Sequence, residues 1–547
     1  MTSGVSAKLP SPPRLRLIGR TSLAGGASGW QEPREVVRSR PVMPCWLAVI
    51  TAAAAGVLMD LAYPAAGVWP AAYIATALVL LAMIGRSVAG SLAVGAVFGL
   101  VFYALLVFWT SRYLGPIPWI ALSALEGLLT ALGLIPIALA YRWLPRGIPR
   151  HLGRHVLLPA LVAALWTGRE VVLGTWPYGG LPWARLGMSQ SESPVAAISS
   201  WVGVSGLSFL MVFAVAATIE CARTRSWRQP AWVAVPASAV AILLLMPAFP
   251  TAAAGSLRIG AVQGNGPSGY FDERKPWGIV DAQAAATDPL YGEDLDLLVW
   301  PEGLDADPFR NEYLASYLTG ISGRAGAPLL ANAATTDGSA LYNTSFVWDP
   351  SISPAPERED LQTYDKRNPV PFGEYVPDRD FYNALAPDLV GLLQRDYAAG
   401  TDTPAVSIDG VQVGLAICFD VIYDEMIRES VRAGAQVLVF QTNNADFRGT
   451  DENLQQLAFA RMRAIEAGRT VVNISTVGTS QIIRSDGATI RSLPAGAEGV
   501  MVENVELRTG TTPGVAFGTA ISQLLLWAGL AALTAARFTA RRRIRGR

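Results

Sequence analysis

The chain has 547 residues, of which 51% are hydrophobic and only 16% carry a charge. Such a composition favours a membrane protein over a soluble one, and the formal net charge of zero gives no support to a nucleic-acid partner. Three cysteines cannot form a disulfide framework, and neither a cysteine–histidine cluster nor a glycine-rich phosphate loop occurs, so the sequence indicates no metal, nucleotide or organic cofactor.

The N-terminal part of the chain combines a polar tail with a series of apolar segments. Residues 1–43 are rich in Pro, Ser, Gly and Arg and lack apolar periodicity, which predicts a disordered cytoplasmic tail. Residues 44–250 hold seven apolar segments and residues 511–536 an eighth, each close to the ~20 residues that cross a bilayer. The segments lie at 44–62, 68–85, 87–110, 118–141, 155–173, 203–222, 231–250 and 514–536. Residues 537–547 form a basic tail after the last segment.

Residues 251–510, between the seventh and eighth predicted spans, have the composition of an ordinary soluble domain. Short β-rich runs alternate there with helical stretches such as ENLQQLAFARMRAIEAG, which indicates an α/β domain. The runs are LRIGAVQ, LDLLVW, PLLANAA, VQVGLAI, QVLVFQT and TVVNIST. The predicted fold is therefore a multi-pass α-helical membrane protein of eight spans with an inserted α/β domain.

Basic residues are distributed unevenly between the two sides of the predicted membrane. With the N-terminus placed inside, the inside segments carry 21 Lys and Arg residues, whereas the outside loops between spans carry only three, Arg112, Arg169 and Arg185. Basic residues accumulate on the cytoplasmic side of membrane proteins. We therefore expect both termini to be cytoplasmic and the α/β domain to lie on the extracytoplasmic side of the cell membrane.

One cysteine, Cys418, stands at the end of the predicted strand VQVGLAI, and VIYDEMIRESVRAGA is predicted to form the helix that follows. The free N–H groups at a helix N-terminus can lower the pKa of a nearby thiol and hold an oxyanion. A lone cysteine is also commonly a packed, inert side chain, so its surroundings must decide between these interpretations.

Two further motifs supply polar side chains that acyl transfer would need. Glu302 follows the predicted strand LDLLVW, and TYDKRNPVPFGEYVP contains Lys366 and Glu374. Lysine occurs at only three positions against 40 arginines, which favours a site that requires a compact ammonium. Each motif alone is weak, since a strand-end glutamate is usually solvated and PFGEYVP could be only a turn. With Cys418 they supply a thiol, a base and a cation for the oxyanion, the parts of acyl transfer without histidine.

The order of WPEG, YDKRNPVPFGEYVP and AICFD resembles the nitrilase, or carbon–nitrogen hydrolase, superfamily, whose Glu–Lys–Cys triad lies on an αββα sandwich. Together with the predicted spans, the chain from residue 44 onward resembles the bacterial apolipoprotein N-acyltransferase family. VWPAA, GLPWARLGMSQ, VQGN and ARMRAIE contribute to the same resemblance. It implies a nitrilase-like αββα sandwich for residues 251–510.

The resemblance also implies a set of site residues. Cys418 would be the nucleophile, Glu302 the general base and Lys366 the cation that stabilises the oxyanion. The supporting residues would be Phe419, whose backbone N–H is a further oxyanion donor, Glu374, which holds Lys366 in place, and also Asn343 and Asp420.

The chain departs from the family pattern close to these residues. Residues 418–420 read Cys-Phe-Asp where the family usually has Cys-Tyr-Glu. Residues 443–447 read Asn-Asn-Ala-Asp-Phe where the family usually has Asn-Asp-x-Trp-Phe. A tryptophan that usually follows QGN is missing, with Tyr270 and Phe271 nearby. Because the triad is intact, we expect these changes to affect lipid and peptide specificity more than the chemistry.

The implied reaction moves an acyl chain from a membrane phospholipid, through a thioester on Cys418, to the α-amine of the N-terminal diacylglyceryl-cysteine of a bacterial apolipoprotein. The expected partners are the phospholipid donor and the diacylated apolipoprotein acceptor. One alternative is a membrane-tethered nitrilase-type amidase, for which eight spans are excessive. Another is a transporter or an inactive scaffold, which the intramembrane Glu126 could favour, although a single glutamate near a helix end is more often packed or protonated.

Beyond the lysine motif, residues 380–397 (DFYNALAPDLVGLLQRDY) contain clustered apolar side chains without a clean strand period. Packing on the domain's own core is one interpretation. The other is a mobile arm that rests in the bilayer interface, flanks the acyl-chain entrance and opens for the lipopeptide.

Overall fold

Apolar helices occupy the segments that the sequence predicts to be spans. The structure, a computed structural model, describes residue 1 and residues 40–148, 150–273, 275–352 and 356–545, so the predicted disordered tail lies almost entirely outside the described residues. The helices before the α/β domain are α1 (Cys45–Asp60), α2 (Ala71–Met83), α3 (Val88–Leu106), α4 (Ser111–Leu114), α5 (Pro116–Gly147), α6 (Arg150–Leu152), α7 (Leu158–Leu173), α8 (Ser199–Arg223) and α9 (Pro230–Leu245).

Two six-stranded sheets form the α/β domain. Its strands are β1 (Ala252–Gln263), β2 (Leu297–Val299), β3 (Leu329–Asp337), β4 (Ala340–Trp348), β5 (Thr363–Asp365), β6 (Ala405–Ile408), β7 (Val411–Ile417), β8 (Val437–Thr442), β9 (Val471–Ser475), β10 (Ser480–Ile483), β11 (Thr489–Leu493) and β12 (Gly499–Thr509). The first sheet has the order β12-β1-β2-β3-β4-β5 and the second β11-β10-β9-β8-β7-β6. The three neighbours β1, β2 and β3 run parallel, as do β7, β8 and β9, and antiparallel strands flank both triplets.

Helices cover the outer faces of both sheets. The helices of the domain are α10 (Gly278–Thr287), α11 (Glu312–Ala325), α12 (Arg379–Leu385), α13 (Pro387–Val390), α14 (Asp424–Arg432) and α15 (Glu452–Ala467). One apolar core lies between the sheets, and a second lies between the first sheet and α10 and α11. On the other side, α14 and α15 cover the second sheet, which gives the expected αββα sandwich.

The apolar core around α14 and α15 continues into the membrane helices. Buried side chains of β8, such as Phe440, belong to the same cluster as Trp166 of α7 and Val515 of the last helix, α16 (Pro513–Arg545). The predicted eighth span ends at residue 536, but α16 continues to Arg545, so the basic stretch extends the helix. The α/β domain therefore shares one apolar core with the apolar helices.

Five helices in the described part of the chain are long and apolar enough to cross a membrane. They are α3, α5, the stretch Gly153–Leu173 that includes α7, the stretch Pro194–Arg223 that includes α8, and α16. The apolar helices α1, α2 and α9 have 16, 13 and 16 residues. At 1.5 Å per residue these helices are about 20–24 Å long, which is less than the ~30 Å hydrocarbon core of a bilayer. Length and composition therefore support five spans directly.

A buried ion cluster joins the sandwich to the apolar helices. Asp424, at the start of α14, accepts a hydrogen bond from Arg185, in the loop between α7 and α8, at 2.6 Å and forms an ion pair with Arg463 of α15 at 2.7 Å. Arg428 of α14 contacts Asp424 at 3.1 Å and donates to Thr519 of α16 at 2.9 Å. Burial opposes the charge on Asp424, but Arg185 and Arg463 hold the pKa of its carboxyl well below the ordinary value. Removing one partner from such a buried pair typically costs about 3–5 kcal/mol.

Candidate active site

The side chains singled out in the sequence follow the carboxyl ends of three strands. Glu302 follows β2, Lys366 follows β5 in the same sheet, and Cys418 follows β7 in the other sheet. Hydrogen bonds between the sheets fix these ends, since Gln441 Nε2 donates to the carbonyl of Trp300 at 2.7 Å. Polar side chains from the two sheets therefore meet at one end of the sandwich.

Lys366 lies between two carboxylates and is only 1% exposed. Its Nζ is 2.8 Å from Glu374 Oε2 and 3.9 Å from Glu302 Oε1. Burial opposes the charged form, but the negative charges of Glu374 and Glu302 outweigh it and raise the pKa of the ammonium above its ordinary value. The lysine is therefore a fixed positive charge at neutral pH.

Asn343 connects the two carboxylates. Its Nδ2 donates to Glu302 Oε1 at 2.8 Å and to Glu374 Oε1 at 3.1 Å. Its Oδ1 accepts from Asn332 Nδ2 at 2.9 Å, which fixes the orientation of the amide. The other oxygen of Glu302, Oε2, is buried and has no hydrogen-bond partner among the described residues. Glu302 thus retains one free oxygen for a proton.

The pKa values of Glu302 and Cys418 are both perturbed, and each group acts on the other. Burial raises the pKa of Glu302 to about 7, and Glu374 adds to this rise against the opposing charge of Lys366. Burial and the charge of Glu302 raise the pKa of the Cys418 thiol well above its ordinary value. At neutral pH the sulfur therefore keeps its proton, and Glu302, with a pKa of about 7, is ionised in part of the molecules, where it can accept that proton.

The expectation that Cys418 sits at a helix N-terminus, where its pKa would fall, is corrected by the structure. Cys418 opens a 3₁₀ turn, Cys418–Ile422, and α14 begins only at Asp424. The thiol pKa rises because burial and Glu302 dominate. The backbone of Cys418 has φ +49°, a left-handed conformation that costs a non-glycine residue roughly 1–2 kcal/mol. Strain of this kind is concentrated at functional sites.

Asp420 fixes the lysine segment against the cysteine turn. It is fully buried, and its Oδ2 accepts from the Tyr364 hydroxyl at 2.8 Å. Its Oδ1 accepts from the backbone N–H and the side-chain amide of Asn368, at 3.0 and 2.9 Å. These partners lie two residues on either side of Lys366, so Asp420 determines where the lysine lies relative to Cys418.

Phe419 connects the cysteine turn to the apolar helices. Its ring stacks on Trp183, in the loop between α7 and α8, with centroids 6.4 Å apart. Trp183 Nε1 in turn donates to Gln455 Oε1 of α15 at 2.7 Å. In a 3₁₀ turn the first backbone N–H groups have no acceptor within the turn. Because this turn begins at Cys418, the N–H of Phe419 is one of these groups. This N–H can therefore face a bound substrate.

Two amide side chains at the site were not predicted. Asn332 supports Asn343, as described above, and Gln456 Nε2 donates to Cys418 Sγ at 3.5 Å. Both amides are buried. A signal for Gln456 exists in ENLQQLAFARM, where two adjacent glutamines interrupt an otherwise apolar helix face, because a buried amide requires a partner.

The predicted arm is partly core and partly exposed. Val390 and Leu393 are buried in a small cluster, whereas Phe381 and Leu385 are 63% and 69% exposed. Two hydroxyls hold the segment in place. Tyr270 donates to the carbonyl of Leu392 at 2.7 Å, and Tyr178, in the loop after α7, donates to Asp378 at 2.8 Å. The apolar side chains of the segment thus divide between a small core and an exposed surface.

Within the described ranges, no group of three or more His, Cys, Asp and Glu side chains is arranged to hold a metal ion. The groups gathered at the site are a thiol, a perturbed carboxylate and an ammonium.

Two family models match successive parts of the chain. Residues 55–217 match the apolipoprotein N-acyltransferase N-terminal domain, and residues 258–512 match the carbon–nitrogen hydrolase domain. The first match covers most of the apolar helices before the sandwich, and the second covers the sandwich itself.

Several curated relatives match along most of their length. An apolipoprotein N-acyltransferase of Mycolicibacterium smegmatis is 29% identical, over 94% of this chain and 89% of that protein. One of Geobacter metallireducens is 30% identical, over 88% of this chain and 93% of that protein. One of Azotobacter vinelandii is also 30% identical, over 86% of this chain and 91% of that protein. The similarity thus includes both the apolar helices and the sandwich.

Proposed function

The chain belongs to the apolipoprotein N-acyltransferase family, and we propose that it transfers an acyl chain from a membrane phospholipid, through a thioester on Cys418, to the α-amine of a diacylated apolipoprotein. Membership of this family makes it a bacterial membrane acyltransferase. The acyl donor, the acceptor and the thioester are the proposal, together with the roles of Glu302, Lys366 and Cys418.

In the first half-reaction Glu302 accepts the proton of the Cys418 thiol as the sulfur attacks the ester carbonyl of the phospholipid. The resulting oxyanion lies between the Lys366 ammonium and the Phe419 N–H, two donors fixed before the substrate binds. The carbon–oxygen bond of the ester then breaks, and the lysophospholipid oxygen takes the proton back from Glu302. The product of this step is a thioester between the acyl chain and Cys418.

In the second half-reaction the α-amine of the diacylglyceryl-cysteine attacks the thioester carbonyl. Glu302 takes a proton from the attacking nitrogen, and the carbon–sulfur bond breaks with its electron pair on Sγ. Proton transfer from Glu302 to the thiolate restores the starting enzyme. Glu374 and Asn343 keep Lys366 and Glu302 in position throughout, and Asp420 fixes the segment that carries the lysine.

The observation that carries this proposal is the buried Lys366 ammonium, held by Glu374 at 2.8 Å and lying 3.9 Å from Glu302, the carboxylate whose charge acts on the Cys418 thiol. The same turn stacks on Trp183 in a loop between two apolar helices. Both proposed substrates reside in the bilayer. The contact between the cysteine turn and the apolar helices therefore supports delivery of these substrates from the bilayer to Cys418.

The proposal includes the eight-span topology. Residues 1–43 are a cytoplasmic tail, 44–250 a seven-span domain, 251–510 the extracytoplasmic catalytic domain, 511–536 the eighth span and 537–547 a basic cytoplasmic end. In this orientation 21 Lys and Arg residues lie in cytoplasmic segments and three in the outside loops between spans. This excess of basic residues on the cytoplasmic side supports the orientation. The shorter helices α1, α2 and α9 can span by local thinning of the bilayer, which costs fractions of a kcal/mol per Å of mismatch.

Acyl loading of the purified protein tests the function. Incubation in vesicles with a phospholipid that carries a labelled acyl chain should give labelled protein, and hydroxylamine should remove the label because thioesters are labile to it. Addition of a diacylated lipopeptide should move the label into an amide. The Cys418→Ala variant should remain unlabelled, and hydroxylamine-labile labelling of this variant would refute the assignment of the nucleophile.

The same assay separates the amidase alternative. A membrane-tethered amidase would hydrolyse a small amide, so the labelled acyl chain would stay on the phospholipid and no amide would form with the lipopeptide. Hydrolysis of a small amide by the purified protein, without transfer of the label to the lipopeptide, would favour that alternative.

A further inference from the structure

The Gln456 amide is held by a chain of buried hydrogen bonds whose direction is set far from Cys418. The backbone N–H of Gly478 donates to Ser475 Oγ at 2.9 Å. A backbone N–H can only donate, so this hydroxyl must turn its own hydrogen elsewhere. It donates to Asn444 Oδ1 at 2.7 Å, which places the oxygen of the Asn444 amide on the side of Ser475.

The nitrogen of Asn444 therefore faces the other way. Its Nδ2 donates to Glu452 Oε2 and to Gln456 Oε1, both at 2.8 Å. Because the oxygen of Gln456 is occupied by Asn444, its Nε2 is the atom that faces Cys418 Sγ, at 3.5 Å. The three side chains Asn444, Glu452 and Gln456 are 3–4% exposed, so water does not compete for these bonds.

We propose that this relay keeps an N–H donor on the sulfur of Cys418 and stabilises its thiolate. The proposal rests on the proposed function, in which the thiolate leaves when the α-amine breaks the thioester. The carbon–sulfur electron pair passes to Sγ, the amine proton passes to Glu302, and the Gln456 N–H donates to the new negative charge. Gln456 is then a catalytic residue, and Asn444 and Glu452 are positioning residues.

The asparagine at position 444 is required by this arrangement. An aspartate there has no N–H, so its oxygens would face Glu452 and Gln456 as acceptors. The Gln456 amide would turn its nitrogen towards the aspartate and its oxygen towards the sulfur. Burial and the charge of Glu302 raise the pKa of Glu452 to about 8, so this carboxyl is neutral at pH 7 and adds no second negative charge beside the thiolate.

The test is the pH profile of Cys418 alkylation, measured in protein that carries Cys45→Ser and Cys221→Ser, so that only one thiol reacts with iodoacetamide. Gln456→Leu should raise the pH midpoint of alkylation by about one unit, the value of one hydrogen bond to a charged group. Asn444→Asp, which keeps the size of the side chain, should raise it similarly by inverting the Gln456 amide. In both variants the preformed acyl-enzyme should react with lipopeptide roughly tenfold more slowly.

Gln455→Leu is the matched control. Gln455 lies next to Gln456 on α15, but it bonds Trp183 and the Leu106 carbonyl, so its loss should leave the alkylation midpoint unchanged. A midpoint that stays within about 0.3 unit of the parent in both Gln456→Leu and Asn444→Asp would overturn the proposal. If Gln456→Leu does not fold, Asn444→Asp decides alone. Alkylation needs no lipid, so the alkylation midpoint can be measured whether or not the protein is an acyltransferase. If the acyltransferase proposal is wrong, the parent protein itself will not acylate the lipopeptide.

Discussion

The Glu374→Gln substitution separates the charge of Glu374 from its hydrogen bonds. In the parent enzyme, Glu302 must be ionised to accept the thiol proton, so acyl loading should rise with pH through the Glu302 pKa of about 7 and fall tenfold per unit below it. Glutamine keeps the shape of the Glu374 side chain but removes its negative charge. Loss of this charge should lower the Glu302 pKa and move the acidic limb of the loading profile to lower pH.

The size of the shift follows from the geometry of Asn343. Its Nδ2 contacts Glu302 Oε1 at 2.8 Å and Glu374 Oε1 at 3.1 Å, so the two oxygens lie within about 6 Å of each other. Two unit charges at about 6 Å repel by roughly 3 kcal/mol at an effective dielectric constant of ~20, which equals about 2 pKa units. Lys366, no longer paired with a negative charge at position 374, can then stabilise the ionised form of Glu302 further. We expect a measured acidic shift of about 1–2 units, with a lower plateau because a weaker base accepts the proton less readily.

The assay is the initial rate of acyl loading from labelled phospholipid in vesicles between pH 5 and 9. The matched control is Glu429→Gln, which removes the same charge from a half-exposed pair with Arg367, the residue after Lys366. An accessible ion pair of this kind typically contributes about 0–1 kcal/mol to the free energy of unfolding. The loading profile of the control should therefore coincide with that of the parent. An unchanged or alkaline-shifted limb in Glu374→Gln would refute the assignment of Glu302 as the base.

Three further outcomes are expected. Lys366→Arg should reduce acyl loading roughly 10²–10³-fold, because a planar guanidinium cannot occupy the buried ammonium position; a rate near that of the parent would exclude Lys366 as an oxyanion donor. The double substitution of the exposed Phe381 and Leu385 by Asp should slow loading from vesicles but not from a soluble short-chain thioester, whereas Val390→Asp should destabilise the domain; equal loading from both donors in the double variant would place the arm outside the lipid path. A reporter fused after residue 547 should be cytoplasmic and one inserted within residues 255–505 exported, and the reverse labelling would contradict the proposed orientation.

The centre of the sandwich could be predicted from the sequence, but its edges could not. The six predicted runs correspond to β1, β2, β3, β7, β8 and β9, the two parallel triplets. Central parallel strands are buried on both faces and read as continuous apolar runs. The flanking antiparallel strands, such as β4 and β12, include polar and partly accessible side chains, so they lack the continuous apolar run that marks the central strands.

The site could be predicted in its residue types but not in its electrostatics. Glu302, Lys366 and Cys418 were identified by motif, and the structure brings them together. The sequence favours a helix start close to Cys418, because ICFDVIYDEMIRESV has no glycine or proline that would separate the 3₁₀ turn from α14. Gln456 was missed because its partner Asn444 lies 12 residues away in sequence, and only the folded chain shows that the two amides meet.

Asp446 illustrates why the departures from the family pattern could not be interpreted in advance. It stands where the family usually has tryptophan, and its Oδ1 accepts from the backbone N–H of Tyr270 at 2.6 Å. Tyr270 in turn holds the arm through Leu392. The carboxylate thus anchors the loop in which the other tryptophan is missing, and the two departures are linked by one contact that no local pattern reveals.

The core that α14 and α15 share with the apolar helices has a kinetic consequence. The ion cluster around Asp424 and the stacked Phe419 and Trp183 tie the sandwich to the apolar helices, and the proposed topology would therefore hold Cys418 close to the bilayer surface. Encounter then depends on lateral diffusion in two dimensions. Turnover should follow the mole fraction of donor and acceptor within the leaflet, and dilution of the vesicles with inert lipid should slow it even when the bulk concentrations of both substrates are held constant.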